Sequence, residues 1–373
     1  MPVKIQWGVL FMMACLLGTS QAGADLKLEL EQVRDKYDLP ALGAVVIRDG
    51  IIAEPCVVGT LSLKSTISVP ADARWHLGSC GKSMTAMLTA LMVERKLLRW
   101  DTTLKEALAG TGIRLHERYE QVAIEQLLGH RAGLGGDLTQ RPIWVALRLA
   151  GGSGPTQRRM ITQSCLFEAP ATEPGTTFTY ANEGYVIVGY ILEHLTGKPF
   201  EQLMEDELFR PLGLASAGFG PPEGKSDPLG HMNRAVMKPG WLADNPPGLS
   251  PAGRMHMSLA DWAKYAQVHL RAARGESYAL ISKASYTRLH TPLPGQDYAL
   301  GWGCIERDWA GGRVLVHAGS NSMWFAFIEI VPARNAAVLI VTNSGTPKAR
   351  AAVKEIRDYL IGILGFHEGA DGS

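Results

Sequence analysis

Segments with the pattern of β-strands lie near both ends of this 373-residue chain, and a long, mainly helical stretch separates them. Near the N-terminus, apolar runs at 42–47 and 51–58 flank Asp49-Gly50, a dipeptide typical of a hairpin turn. After residue 296 the pattern changes back to strands, over 298–305, 314–317, 323–331 and 336–342, and then to a helix over 347–363. Strands at both ends that enclose a helical middle predict an α+β body with a helical lobe inserted into it.

The predicted organisation is one α/β lobe formed by about 25–78 and 286–373, and one helical lobe formed by about 79–285. Residues 221–251 carry seven prolines and are predicted to form a long surface loop. The sequence leaves open whether this loop covers a functional site.

The first 24 residues have the pattern of an export signal. Lys4 precedes an apolar run over 7–17, and small residues in an A-x-A pattern end at Ala24. Eleven apolar residues are too few to cross a bilayer core, which needs about 20. Cys15 resembles a lipoprotein cysteine, but the apolar run continues past it, so lipidation is the less favoured interpretation. We therefore expect cleavage after Ala24 and a periplasmic or secreted protein without a stable membrane span.

The charge balance excludes one class of partner. The chain has 37 basic and 36 acidic residues, so no basic excess is available to neutralise a row of phosphates, and nucleic acid is not an expected partner. Beyond the signal, four cysteines have no C-x-x-C spacing, which excludes a zinc ribbon. Single core thiols are favoured over a disulfide scaffold. The pairing of these cysteines and the oligomeric state stay open; the cysteines are Cys56, Cys80, Cys165 and Cys304.

A candidate catalytic pair lies at the start of a helix predicted over 79–97. Ser79 and Lys82 are three residues apart and share one helix face. Burial lowers the pKa of a lysine, and a neutral amine can take the proton of a serine hydroxyl. The helix N-terminus adds N–H groups that stabilise negative charge near Ser79. Cys80 would point to another face and is interpreted as a packing residue. The motif is common, so a capping serine beside a surface lysine is the alternative when it stands alone.

Other catalytic signatures are absent from the sequence. Gly81-Lys82-Ser83 resembles the end of a phosphate-binding loop, but His76 stands where that loop needs glycine. The chain contains neither the H-E-x-x-H motif of zinc proteases nor the G-x-S-x-G motif of α/β-hydrolases.

Two further motifs follow in order along the chain. Tyr180-Ala181-Asn182 is a Y-x-N motif, and a short apolar strand leads into His317-Ala318-Gly319, which is followed by Ser320. Together with S-x-x-K they resemble the serine β-lactamase-related hydrolases: class C β-lactamases, D,D-peptidases, D-aminopeptidases and β-lactamase-like esterases. The resemblance covers about 30–345, and six flanking segments keep its order: 75–78, 97–108, 124–134, 211–214, 251–253 and 300–302.

The resemblance implies a β-lactamase/transpeptidase-like fold, with an antiparallel sheet flanked by the terminal helices, and a serine hydrolase mechanism. Ser79 would form the acyl-enzyme and Lys82 would help to deprotonate it. Tyr180 would exchange the proton with the leaving group, with its pKa lowered by nearby cations such as Lys82; whether His317 is protonated and adds a second cation stays open. The family's chemistry requires no metal and no organic cofactor.

The resemblance also implies the substrate-binding residues. Asn182 would hold Lys82 and the acyl side chain of the substrate, while the backbone N–H groups of Ser79 and Ser320 would form the oxyanion hole. Gly319, without a Cβ atom, would let the substrate backbone approach the strand. His130 is assigned a structural role.

The third motif bears on the substrate. His317 in its first place is similar to some D,D-peptidases, D-aminopeptidases and esterases of the family. Ala318 lacks the hydroxyl that commonly binds a substrate carboxylate, and such a bond is worth about 1.5–3 kcal/mol. Arg254 or Arg313 could replace this contact. We therefore rank small esters or amides above β-lactams and D-alanyl peptides as substrates.

Three alternatives remain at this stage. One is a β-lactamase or a D,D-peptidase acting on β-lactams or D-alanyl peptides. Another is a penicillin sensor that is acylated but does not turn over. The last is a degenerate binding protein, which the presence of all three motifs disfavours.

Overall fold

A computed structural model describes residues 23–136, 138–149, 151–276 and 280–366. Apart from residues 23 and 24, the segment predicted to be an export signal lies outside the described residues. The strands are β1 (Ala41–Arg48), β2 (Ile51–Ile52), β3 (Cys56–Gly59), β4 (Arg74–His76), β5 (Gly218–Phe219), β6 (Gly230–Met232), β7 (Ala235–Met237), β8 (Met255–Ser258), β9 (Gly303–Arg307), β10 (Gly312–Ser320), β11 (Phe325–Val331) and β12 (Ala336–Thr342).

The helices are α1 (23–36), α2 (Lys82–Glu94), α3 (Leu104–Ala107), α4 (Ile124–Leu128), α5 (Pro142–Leu149), α6 (Gly154–Phe167), α7 (Asn182–Thr196), α8 (Phe200–Met204), α9 (Ser250–Gly253), α10 (Leu259–Ala273), α11 (Lys283–Leu289) and α12 (Pro347–Ile363). In the described part of the chain, no helix is both long enough and apolar enough to cross a bilayer.

The main sheet joins the two ends of the chain. Its strand order is β2-β1-β12-β11-β10-β9, β3 also pairs with β1, and every pairing is antiparallel. In the centre of the sheet Leu42 lies opposite Thr342 and Ile47 lies opposite Ala337. These two strands are apolar and almost wholly buried because both sheet faces are covered.

Each sheet face packs against different helices. The terminal helices α1 and α12 contribute Leu30, Val33 and Ile356 to one apolar cluster with Val338 of the sheet. On the other face, α10 contacts β1 and β12. The predicted α+β class, with an antiparallel sheet flanked by terminal helices, is confirmed.

Several predicted elements have shifted boundaries. The strand predicted over 51–58 is divided into β2 and β3, and the strand predicted from 298 begins at Gly303. The helix predicted over 79–97 starts at Lys82, after a 3-10 turn over Gly78–Gly81 that contains Ser79. From Lys82 to Met92 that helix is buried on all sides, because it packs among α7, α8, α9 and α11.

The proline-rich segment 221–251 is an ordered part of the molecule. It contains the β6–β7 hairpin, and Asp227 accepts the backbone N–H of Arg74 at Oδ1 and the Arg74 guanidinium at Oδ2. His231 accepts a hydrogen bond from the Leu63 N–H and is hydrogen bonded to the Asn343 carbonyl. This loop is therefore tied to several distant parts of the chain.

All four cysteines beyond the predicted signal carry free thiols in the structure. Cys80, Cys165 and Cys304 are buried, and Cys56 is partly buried. Burial raises the pKa of Cys80, so its thiol is a packing group, as expected from its position beside Ser79.

A buried arginine joins three of the helices. Arg158 of α6 is fully buried, and its guanidinium lies 2.6 Å from Glu193 of α7 and 2.8 Å from Glu201 of α8. Both contacts are bidentate in pattern, because two guanidinium nitrogens bind each carboxylate.

We expect Arg158→Ala to lower the free energy of unfolding by about 3–5 kcal/mol, because it leaves two carboxylates without their shared cation. Urea unfolding followed by circular dichroism measures this loss. Arg313→Ala, which breaks an exposed pair with Glu306, is the control and should cost no more than about 1 kcal/mol. Equal losses in the two variants would contradict this view of Arg158.

Candidate active site

Ser79 lies where three backbone segments meet closely. It belongs to the 3-10 turn that connects β4 with α2. Gly78 before it has φ of +51°, and a Cβ atom there would lie 2.3 Å from the backbone nitrogen of Ser320. A Cβ atom on Gly319 would lie 2.7 Å from the backbone nitrogen of Ser79. The turn and the end of β10 can approach this closely only because both positions are glycine.

The role of Gly319 therefore differs from the expected one. The space that its missing Cβ leaves is occupied by the protein's own turn, since that atom would also lie 2.0 Å from the Leu77 carbonyl oxygen. The close approach seen in the structure is between two parts of this chain, and it places Ser320 beside Ser79.

Lys82 is buried directly beside Ser79. Its Nζ atom lies 2.9 Å from the Ser79 Oγ, 2.7 Å from the Asn182 Oδ1 and 2.6 Å from the Ala252 carbonyl oxygen. Burial lowers the pKa of Lys82 to about 7. A neutral amine has two hydrogens, which Asn182 and Ala252 accept, so its lone pair faces the Ser79 hydroxyl. This arrangement allows Lys82 to remove the serine proton.

Tyr180 is close to the same pair. The Lys82 Nζ lies 4.9 Å from the centre of the Tyr180 ring, and Ser79 is a polar neighbour of the Tyr180 hydroxyl. Although the side chain is 37% exposed, burial around the hydroxyl raises the pKa of Tyr180, and the neighbouring Ser79 only partly opposes that rise. The expectation of a lowered pKa is wrong, and the phenol is protonated at neutral pH.

His317 is neutral in the structure, so it is not a second cation beside Tyr180. Its Nδ1 donates to the Ala318 carbonyl oxygen over 2.9 Å, which leaves Nε2 to accept from the Tyr298 hydroxyl over 3.0 Å. Burial, reinforced by the charge of Lys82, lowers the pKa of His317 to about 3. It therefore supplies no positive charge to Tyr180 or to a substrate.

His130 supports the aromatic side of the site. Its Nδ1 accepts the backbone N–H of Ala181, and its ring lies 4.3 Å from that of Tyr180 and 4.8 Å from that of Tyr298, measured between ring centres. These contacts agree with the structural role expected of His130.

One edge of β10 is open beside Ser79. The pairing of β9 with β10 ends at Val316, so no strand in the described part of the chain pairs with residues 317–320 on that side. An open strand edge presents backbone N–H and carbonyl groups that can pair with an extended substrate.

Ala318 points away from His317, toward the opposite face of the strand, and its side chain is exposed. It lines a cavity of about 520 Å³ between the sheet and α12, together with Phe325 and Arg350. The Arg350 guanidinium lies 4.9 Å from the centre of the Phe325 ring. The sequence did not indicate Arg350, because α12 reaches Ala318 only in the folded chain.

The two arginines suggested earlier are engaged elsewhere. Arg313 stands five residues before Ala318 on the same strand, about 16 Å away, and pairs with Glu306. The Arg254 Nε lies 3.3 Å from the Asp244 Oδ2. Within the described ranges, no group of three or more His, Cys, Asp or Glu side chains could hold a metal ion.

Comparison with known proteins assigns the family. The model of the family described as Beta-lactamase matches residues 27–362. Penicillin-binding protein 4 of Amycolatopsis lactamdurans is 27% identical over 329 residues, which cover 84% of each chain. Unguisins hydrolase ungD' of Aspergillus campestris is 26% identical over 341 residues, which cover 84% of this chain and 60% of that relative.

Solved structures agree on the fold. The octameric penicillin-binding protein homologue from Pyrococcus abyssi superposes with a TM-score of 0.74 at 22% identity, covering 92% of this chain and 78% of the other. SurE in complex with D-Leu gives 0.73 at 21% identity, covering 94% and 77%. Since the family model spans most of the sequence, this chain belongs to the β-lactamase family and is a serine hydrolase related to the penicillin-binding proteins.

Proposed function

We propose that this protein is an exported hydrolase that forms an acyl-enzyme at Ser79 and acts on small ester or amide substrates. The observation that carries the proposal is the buried Lys82 amine, which lies 2.9 Å from the Ser79 Oγ and has its pKa lowered to about 7. A serine becomes a useful nucleophile only when such a base is in contact with it. The export step rests on the pattern of the first 24 residues.

Each proton that moves in the proposed acylation has a donor and an acceptor among Ser79, Lys82, Tyr180 and the leaving group. Lys82 takes the hydroxyl proton while the Ser79 Oγ forms a bond to the carbonyl carbon of the substrate. The carbonyl oxygen, now negative, is stabilised by the backbone N–H groups of Ser79 and Ser320. The Tyr180 phenol donates its proton to the leaving oxygen or nitrogen as that bond breaks, and the Lys82 ammonium returns a proton to Tyr180. Water then replaces the leaving group and releases the acid.

The preference for substrates without a carboxylate rests on the third motif. His317 is neutral and occupied by Tyr298, and Ala318 has no hydroxyl. Neither residue can make the charge-assisted contact that would hold a carboxylate at this edge. A neutral acyl substrate has no carboxylate, so its binding does not depend on this contact.

Arg350 favours a second candidate, an enzyme acting on β-lactams or D-alanyl peptides. Its guanidinium shares a cavity with Ala318, and a cation there could bind a substrate carboxylate. The likeness to penicillin-binding protein 4 supports the same candidate.

We expect the mature protein to hydrolyse many equivalents of p-nitrophenyl acetate or butyrate and little nitrocefin, and Ser79→Ala to lose this activity. Ser282→Ala, which removes the N-cap of α11, is the control and should remain active. Rapid nitrocefin turnover with poor ester cleavage would favour the second candidate. Release of one equivalent followed by arrest would indicate a sensor, and no reaction with either compound would contradict the proposal.

Activity should increase with pH through about 7, because only the neutral form of Lys82 accepts the serine proton. The measurement is kcat/KM for the ester between pH 5 and 9. Lys82→Met should remove the activity, whereas Lys264→Met, which changes a lysine paired with Asp261, should keep the wild-type profile. A rate that does not change between pH 6 and 8 would contradict a base with a pKa near 7.

Ala318→Thr should lower KM for nitrocefin about tenfold, because the new hydroxyl can donate to the carboxylate of that compound. Ala318→Val adds the same bulk without the hydroxyl and is the matched control. Ester hydrolysis should change little in either variant. If Arg350→Ala raises KM for nitrocefin in the wild-type background, Arg350 already holds the carboxylate and the second candidate gains support.

A further inference from the structure

A buried carboxylate lies behind the turn that carries Ser79. Asp244 belongs to the proline-rich loop 221–251 and is only 2% exposed. Its Oδ1 accepts a hydrogen bond from the Asn321 Nδ2 over 3.1 Å and lies 2.9 Å from the His76 Nε2. Its Oδ2 lies 3.3 Å from the Arg254 Nε. One side chain of the loop thus contacts three other segments of the chain.

The contact between Asp244 and His76 connects the loop to the backbone beside Ser79. The backbone N–H of Gly78 donates to the His76 Nδ1 over 3.1 Å. Since Nδ1 accepts this hydrogen bond, the ring carries a proton on Nε2, which faces Asp244. The ring also stacks on Trp324, with 5.7 Å between ring centres. Asp244 therefore holds the ring that fixes the residue before Ser79.

The contact with Asn321 connects Asp244 to Ser320, whose backbone N–H is the second proposed donor to the oxyanion. Asn321 follows Ser320 directly, and its Oδ1 accepts the backbone N–H groups of Met323 and Trp324 over 3.1 and 3.2 Å. Its Nδ2 is the group that binds Asp244. This amide closes the turn between β10 and β11, so its anchor also determines where the end of β10 lies.

The third contact balances the charge. Arg254 comes directly after α9, the helix whose Ala252 carbonyl oxygen accepts from Lys82. Burial opposes ionisation of Asp244, but His76, Arg254 and Asn321 together hold its pKa below the usual value. The site therefore contains an ionised carboxylate paired with a guanidinium, and this pair adds no net charge behind the oxyanion hole.

We infer that Asp244 is a positioning residue, which holds the backbone N–H groups of Ser79 and Ser320 in the geometry that an oxyanion requires. The proline-rich loop then contributes to catalysis without touching the substrate. This inference rests on the proposed function, because an oxyanion hole has a role only if Ser79 attacks a carbonyl group.

The size of the expected loss in rate depends on how accurately the N–H donors of an oxyanion hole must be placed. Donors must lie about 2.7–3.1 Å from the oxyanion, and a displacement of about 1 Å costs up to about a hundredfold in rate. In metal sites, removing the side chain that supports a ligand typically costs about 10- to 100-fold, and we expect a loss of similar size here.

Asp244→Ala should lower kcat for p-nitrophenyl butyrate by about 10- to 100-fold and change KM by less than about threefold, because the donors act on the transition state. Asp244→Asn retains an oxygen for Asn321 and should keep several times more activity than Asp244→Ala. The matched control is Asp261→Asn, another buried aspartate that binds Ser216 and Lys264. It should lower the melting temperature without changing kcat.

A second readout separates positioning from general stability. A boronic acid such as phenylboronic acid forms a tetrahedral adduct with a serine and imitates the oxyanion. Its Kd should rise in parallel with the loss of kcat in the Asp244 variants and stay within about twofold in Asp261→Asn. If Asp244→Ala does not fold, Asp244→Asn is the variant to test, with an expected loss of at least about threefold in both quantities.

Unchanged kcat and boronate affinity in Asp244→Asn and Asp244→Ala would overturn the inference. A rise in KM alone would also overturn it, because that result indicates substrate contact and not support of the donors. If the wild-type protein turns over no ester and mass spectrometry finds no acyl adduct on Ser79, the proposed function fails instead. An active wild type with fully active Asp244 variants leaves the proposed function intact and removes only this role.

Discussion

The candidate site depends on a close contact of backbones around Ser79. Gly78, Gly253 and Gly319 come from three distant parts of the chain, and a Cβ atom on any of them would lie about 3 Å or less from backbone atoms of a neighbouring segment. No side chain can yield at such a contact, so a larger residue would move the segments apart. This contact joins the end of β10 to the start of α2, and it places the two N–H donors of the proposed oxyanion hole side by side.

Burial of Lys82 gives the site its chemistry at a cost in stability. A charged amine in this position would lose its hydration, so the neutral form becomes accessible near pH 7. Asn182 and Ala252 satisfy its two hydrogens, which reduces the cost of desolvation. The same burial keeps Tyr180 protonated and His317 neutral. One physical cause thus accounts for an accessible neutral amine, a protonated phenol and a neutral imidazole within a single pocket.

The two faces of β10 and the proline-rich loop surround the site on different sides. The strand face that carries His317 is buried against Tyr298 and contributes to the site's interior, whereas the face that carries Ala318 opens on a cavity that contains Arg350. The proposed preference for neutral substrates therefore rests on residues of α12 and β10. The proline-rich loop lies on another side, where Asp244 contacts the segments before Ser79 and after Ser320.

The sequence by itself determined the fold class and the bounds of β12 and α12, because strand alternation, helical periodicity and turn residues are local properties. It also indicated Ser79, Lys82, Tyr180 and Asn182, which the structure brings together. Only the tertiary structure decided that His317 is neutral, that Gly319 makes room for the protein's own turn, and that Arg350 and Asp244 lie near the site. Protonation and long-range contact depend on neighbours that are distant in sequence, and no local pattern records them.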